Sequence, residues 1–194
     1  MADALPYVGH FVTRNRGTVG GSIVHADPAA ELPLVLTVLG GSVVAASARG
    51  QRTIAAEELF VSHFFTTLEP DELVVDTIWP AAPPGSGYAF EELAQRRGDY
   101  GLCLAACALT VRDGRIEQGR VALGSVADRP LVVEVGLEGR AIDAETARET
   151  GELAAAAVDP PGNLHASPAY LKQLTRVLVE RAVGRAWRNA LEAP

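Results

Sequence analysis

From Arg14 to Pro33 the chain reads RNRGTVGGSIVHADPAAELP, and these residue types suit the binding of a phosphate-bearing ligand. Gly17, Gly20 and Gly21 let backbone N–H groups approach an anion with no Cβ in the way. Thr18 and Ser22 add hydroxyl donors, and Glu31 offers a carboxylate to sugar-like hydroxyls. Spacing alone leaves two readings open, because most Gly-Gly pairs are ordinary turns.

Other reactive residue types are present without a reactive pattern. His10, His25, His63 and His165 are scattered and lack metal-ligand spacing, so no metal is expected and no catalytic side chain can be named. His25 reads as a loop hydrogen-bonding residue. Asp27 precedes Pro28 and suits a turn. Cys103 and Cys107 lie in an apolar Ala/Leu stretch and read as buried small hydrophobes. Arg96, Arg97 and Asp99 suggest a surface ion pair worth under about 1 kcal/mol. Arg176, Arg181, Arg185 and Arg188 read as the solvated face of a helix, with Trp187 as a packing anchor.

Around this segment the pattern predicts an α+β chain. Residues 17–33 read as a turn-rich loop with brief regular content. Val35–Leu39 and Ser42–Ala46 read as two buried strands joined at Gly40-Gly41. Residues 56–66 read as one helical stretch and 72–79 as a strand closed by Pro80. The Pro/Gly/Ala segment 80–87 is the expected domain boundary. YAFEELAQRR then reads as an edge strand or turn. GLCLAACALTVRDG and RIEQGRVALGSV form a hairpin turning at Asp113-Gly114, and 130–135 supplies a further strand. Asp143 is an expected N-cap for a helix over 143–157. Ser167-Pro168 opens a long helix to Leu191, whose apolar residues recur every three or four positions.

Composition narrows the function. The 194 residues carry 17 Lys plus Arg against 24 Asp plus Glu, a net charge of -7. That balance disfavours a nucleic-acid partner, which needs a basic face. Lys172 is the only lysine, an Arg bias that points to GC-rich coding rather than to a role. Two cysteines cannot build a disulfide framework and suggest a reducing compartment. No apolar run reaches the roughly 18 residues of a membrane span, and Met1-Ala-Asp lacks signal-peptide character. The expectation is a soluble, cytoplasmic protein with no membrane partner.

The string RNRGTVGGSIVHADPAAELP resembles the second FAD-binding signature of the medium subunit of molybdenum hydroxylases, the family of xanthine dehydrogenase and aerobic carbon monoxide dehydrogenase. TIAAEELFVSHFFTTLEPDELVVDTIWP resembles the end of that family's flavin domain. YAFEELAQRRGDYGLCLAACAL resembles the start of its C-terminal domain, and NLHASPAYLKQLTRVLVERAV its closing helix. The resemblance implies that residues 1–82 are the C-terminal part of a truncated FAD-binding (PCMH-like) subdomain. Residues 86–194 would be a CO dehydrogenase flavoprotein C-terminal-like domain of antiparallel sheet plus helices. Roughly the first third of the family's subunit, with its first FAD signature, has no counterpart before YVGHFVTRNRGTVGG.

The implied cofactor is FAD, bound by Thr18, Val19, Gly20, Gly21, Ser22, Asp27, Glu31, Val74 and Tyr100. In the resemblance, the Thr18–Ser22 string wraps the pyrophosphate and ribityl chain, and Glu31 meets the ribityl hydroxyls. Val74 presents a backbone amide to the isoalloxazine ring, and Tyr100 lies near its face. Glu91 takes a position where eukaryotic members have a Lys beside the ring. Arg96, Arg97 and Asp99 would lie near the flavin-domain interface, where a docking role is open.

The implied function is that of an electron-transfer subunit of a molybdenum hydroxylase, an oxidoreductase. It would take electrons from an iron–sulfur small subunit through FAD to an external acceptor, while a molybdopterin-binding large subunit oxidises the substrate. The missing third keeps two alternatives open. One is a flavin-free docking scaffold, and the other a cofactor-independent biosynthetic enzyme using the vacated cavity for a different small molecule.

Overall fold

The computed structural model describes residues 1–193. Three short helices open the chain: α1 (Phe11–Arg14), α2 (Val19–His25) and α3 (Glu31–Val38). A three-stranded antiparallel sheet follows in the order β2-β1-β5, built from β1 (Ser42–Ser47), β2 (Gly50–Ala55) and β5 (Leu73–Ile78). Between β2 and β5 lie the single turn α4 (Ala56–Leu59) and the small pair β3 (Phe60–Ser62) and β4 (Phe65–Thr66). A four-stranded antiparallel meander comes next: β6 (Ser86–Ala94), β7 (Gly101–Arg112), β8 (Arg115–Gly124) and β9 (Leu131–Val133). Two helices close the chain, α5 (Ala144–Ala156) and α6 (Pro168–Glu192). The arrangement is α+β, as expected.

The second half follows its sequence pattern closely. The hairpin turns at Asp113 and Gly114, both in the left-handed region, and pairs Thr110 with Gln118 and Cys107 with Val121. Asp143 caps α5 by accepting from the Thr146 amide at 2.8 Å, and Ser167 caps α6 by accepting from the Tyr170 amide. Leu171, Leu174, Leu178, Val179, Ala182 and Ala186 form the buried stripe of α6. They cover one face of the meander, where Ala89, Cys103, Ala105, Cys107 and Val121 point. The approach is close because β6 carries Gly87, where any Cβ would strike the α6 backbone at Ala186 and Ala190.

Four expectations in the first half are corrected. Residues 17–33 are not mainly loop, because two helices begin there, α2 behind its Thr18 cap and α3 at Glu31. Val35–Leu39 is not a strand but the end of α3. That helix is buried on every side, so its run LPLVLTV lacks the polar face that reveals a helix in a sequence. Leu32 and Leu36 pack into the core of the three-stranded sheet, while Leu34, Val35 and Val38 pack on the meander against Phe90, Leu104, Ala106 and Ala122. Pro33 fits because first-turn residues need no intrahelical donor. The hairpin predicted at Gly40-Gly41 instead joins β1 to β2, with Ser47 opposite Gly50. Residues 56–66 are not one helix, since Leu59 and Phe60 are both buried and the chain turns from α4 into β3 between them.

The expected strand over 72–79 is present as β5. Side chains also tie the two halves together. Arg120 on β8 donates to the carbonyls of Val38 (3.1 Å) and Thr37 (3.0 Å) at the end of α3, and also reaches Glu57. Arg129 donates to the Phe60 carbonyl at 3.1 Å.

Candidate functional site

Between the N-terminal helices and the edge of the meander runs a cleft of about 950 Å³, within the usual size of ligand sites. One wall is the start of α2. Thr18 Oγ1 accepts from the Gly21 amide at 3.0 Å, while the amides of Val19 and Gly20 have no partner among the described residues. Two free first-turn donors and the hydroxyls of Thr18 and Ser22 make a local anion-facing surface. A Cβ at Gly21 would come within 2.8 Å of the capping oxygen, so a side chain there would displace the cap.

The floor is acidic. Asp27 Oδ1 accepts from the Ala29 amide at 2.8 Å, which holds the turn into α3, and the residue still lines the cleft. Glu31, at the first position of α3, is 7% exposed. Burial raises its pKa, partly offset by a backbone hydrogen bond, and the charge of Asp27 adds to the rise. The opposite rim is Tyr100, two-thirds exposed, its phenol raised by partial burial and by the charges of Asp27 and Glu31.

Four non-glycine residues have positive φ among those described; of these, Ser125 lines the cleft and Ala26 lies between its lining residues His25 and Asp27. Ala26 ends α2 and accepts from the Phe64 amide at 3.0 Å. This pairing stacks the Phe64 ring on His25, with centroids 4.9 Å apart. Ser125 donates to the Gly101 carbonyl and, through its amide, to the Pro28 carbonyl. Backbone strain of this kind persists where the surroundings over-determine it, and it concentrates at functional sites.

Of the residues singled out in the sequence, Thr18, Val19, Gly21, Ser22, Asp27, Glu31 and Tyr100 line one cleft. Gly20 adjoins it in the first turn of α2, with open space where a Cβ would be. Val74 is elsewhere: it sits on β5 opposite Ala45 and packs into the core of the three-stranded sheet. Glu91 also lies outside the lining of this cleft. It faces α6, 3.1 Å from Arg185, on the side of β6 away from α3. Strand alternation sends the next residue, Glu92, to the α3 side. Arg185 thereby leaves the solvated face predicted for it, and it also donates to the Phe90 carbonyl. Arg96, Arg97 and Asp99 form no ion pair with one another, and Asp99 lies 4.0 Å from His10.

Glu92, Ser125, Asn163, His165 and the Phe64 ring escaped the sequence reading. Only the neighbouring acid pair Glu91-Glu92 hinted at any of them. Cys103 and Cys107 are buried free thiols as expected, with pKa values raised by burial, that of Cys103 to about 11. Among the described residues there is no cluster of metal-ligating side chains, and no helix is long and apolar enough to cross a membrane.

This arrangement can hold an elongated ligand with an anionic centre and a hydroxyl-bearing chain. Free amides and hydroxyls meet the anion at α2, and carboxylates line the floor. Leu5, Val8, Leu32 and Leu102 supply apolar surface, and Gly17, Gly21 and Gly101 allow close approach to backbone. FAD has that composition, and the residues present fit it.

Comparison with known proteins agrees. Residues 1–82 match the FAD binding domain in molybdopterin dehydrogenase, and residues 88–186 match the CO dehydrogenase flavoprotein C-terminal domain. The chain is 38% identical to the 6-hydroxypseudooxynicotine dehydrogenase complex subunit alpha of Paenarthrobacter nicotinovorans, covering 98% of this chain and 66% of that protein. It is 39% identical to the nicotine 6-hydroxylase medium subunit of the same organism, covering 94% and 65%. Its fold matches carbon monoxide dehydrogenase from Hydrogenophaga pseudoflava with a TM-score of 0.93 at 30% identity, over 97% of this chain and 67% of that one. Quinoline 2-oxidoreductase from Pseudomonas putida 86 matches with a TM-score of 0.91 at 36% identity, over 97% and 66%. The chain thus spans just under two thirds of the length of these curated relatives. Each is named as an oxidoreductase or one of its subunits, which leaves the flavin-free alternatives without support.

Proposed function

The chain belongs to the FAD-binding medium-subunit family of the molybdenum hydroxylases, and from that premise we propose that it holds FAD in the cleft at the start of α2 and serves electron transfer. The observation that carries this reading is the cleft itself. The Thr18-capped turn with its unpartnered Val19 and Gly20 amides opens into a cavity of about 950 Å³ floored by Asp27 and Glu31. When bound, FAD supplies the redox chemistry and the protein tunes and orients it.

The chain's own residues bind and position. Thr18, Val19, Gly20, Gly21 and Ser22 hold the pyrophosphate. Asp27 fixes the turn that sets Glu31 against the ribityl hydroxyls. Tyr100 and the His25–Phe64 stack border the ring end. In this reading residues 1–82 form the flavin-binding part and 86–194 a C-terminal domain that backs it. Electrons arrive from the iron–sulfur clusters of a small subunit, a molybdopterin-binding large subunit oxidises the substrate, and an external acceptor takes the electrons onward. The assembly is cytoplasmic, where two buried free thiols stay reduced.

The test is an absorption spectrum of the purified chain, repeated after adding excess FAD and removing the unbound part. Flavin bands that stay with the protein, and weaken in Gly21→Val, are the expected result. A colourless protein after loading would reject FAD binding by this chain alone.

A further inference from the structure

The acidic floor continues behind the cleft wall. Glu92 lies on β6 beside Phe90, on the face packed against α3, and its Oε2 is buried with no hydrogen-bond partner among the described residues. Gly101 covers its stem: a Cβ there would come within 3.0 Å of Glu92 Cγ and 3.2 Å of Cδ. Gly101 also lines the cleft, so a single backbone segment separates this carboxyl from the ligand space.

The groups around Glu92 give it little help. Glu92 itself lines a second, open groove, which Asp3 and Tyr7 of the N-terminal segment, Arg96 and Arg97 of the β6–β7 loop, and Arg185 also line. On the cleft side of the Gly101 segment stand Asp27, Glu31, Asp99 and Tyr100. From α6 comes Arg185, whose terminal nitrogens meet Glu91 and the Phe90 carbonyl and whose Nε is buried without a partner among the described residues, while Leu104 of β7 stands opposite Glu92 in the sheet. No arginine forms an ion pair with Glu92 among the described residues. Burial first, and then the charge of Glu31, raise the Glu92 pKa to about 8.

We propose that Glu31 and Glu92 are a proton-holding carboxyl pair lining and backing the cleft, and that an anionic ligand entering the cleft is bound together with a proton taken from solvent by this pair. The inference rests on reading the cleft as the FAD site and adds a regulation to it. An incoming pyrophosphate brings negative charge and displaces water, and both effects favour the protonated carboxyl. No bond other than O–H forms. The proton goes to whichever carboxylate of the pair is ionised.

The test has two parts. In the FAD-free protein, ¹³C-carboxyl NMR should show Glu92 titrating near 8. In Glu31→Gln it should titrate lower, yet still above the ordinary range, because burial remains. Calorimetry of FAD binding in two buffers of different ionisation heat should show proton uptake near pH 8. The affinity should fall by up to about tenfold per pH unit above that, and Glu92→Gln should flatten the slope. An ordinary Glu92 titration, identical heats in both buffers, or an unchanged slope in Glu92→Gln would each overturn the proposal. Glu92 titrating near 8 in a chain that binds no FAD would instead overturn the FAD reading, and the coupling with it, while the carboxyl pair itself would stand.

Discussion

The half-buried Glu92 carboxyl makes folding stability depend on pH in a direction that runs against the usual behaviour of acidic residues. Its pKa is about 8 in the folded chain, against an ordinary value of 4.5. Between those values the folded protein keeps a proton that the unfolded chain has released. Stability is therefore full below about pH 4.5, falls as pH rises to about 8, and is level above that. The unscreened ceiling on the loss is about 5 kcal/mol, from 1.36 kcal/mol per pH unit. Glu92 is only half-buried, and water screens its charge, so a loss of roughly 2 kcal/mol is the working figure. Glu92→Gln keeps the shape and removes the ionisation. Urea unfolding at a series of pH values should give the variant an advantage that is absent near pH 4.5 and grows to about 2 kcal/mol by pH 8.5, equivalent to about 4–8 °C in Tm. Glu31, also raised by burial, acts with the same sign in both proteins. A difference between the two proteins that stays constant with pH would refute the reasoning.

Other outcomes follow from particular contacts. Leu34 and Leu36 sit on opposite faces of α3, both fully buried, and each Leu→Ala change should cost about 3–5 kcal/mol. Because α3 belongs to both cores, either change should lower one shared transition, followed by Trp79 and by Trp187 in single-tryptophan variants. Two separate transitions would show that 80–87 divides independently folding units. Cys103 and Cys107, raised by burial, should resist thiol reagents at pH 8 in the native protein and react after denaturation; rapid native labelling would refute this. Thr18→Ala should remove the cap on the Gly21 amide, cost about 1 kcal/mol and weaken FAD binding, while Thr18→Ser retains both, as read by hydrogen exchange in α2 and by FAD titration.

What could be read from residues alone depended on whether the signal was local. The meander and α6 carry their own punctuation: Asp113-Gly114 turns the hairpin, Ser167-Pro168 opens the helix, and α6 repeats its apolar residues every three or four positions. The chemistry of RNRGTVGGSIVHADPAAELP was also legible, because glycines and hydroxyls beside a carboxylate keep their meaning in a loop or a helix start. The α3 helix was not legible, since a helix wedged between two sheets has no polar side, and its apolar run looks the same as a buried strand. The neighbours Glu91 and Glu92 carry a sharper lesson. A resemblance can assign a position along a strand to within a residue, but the pleat has a period of two, so an error of one residue moves a side chain through the sheet. Glu91 meets Arg185 and is neutralised there. Glu92, on the other side of the same strand, forms no ion pair among the described residues, and the charge of Glu31 raises its pKa. The two carboxyls differ by one position in sequence, and their electrostatic fates are opposite because the strand places α6 behind one and the cleft wall before the other.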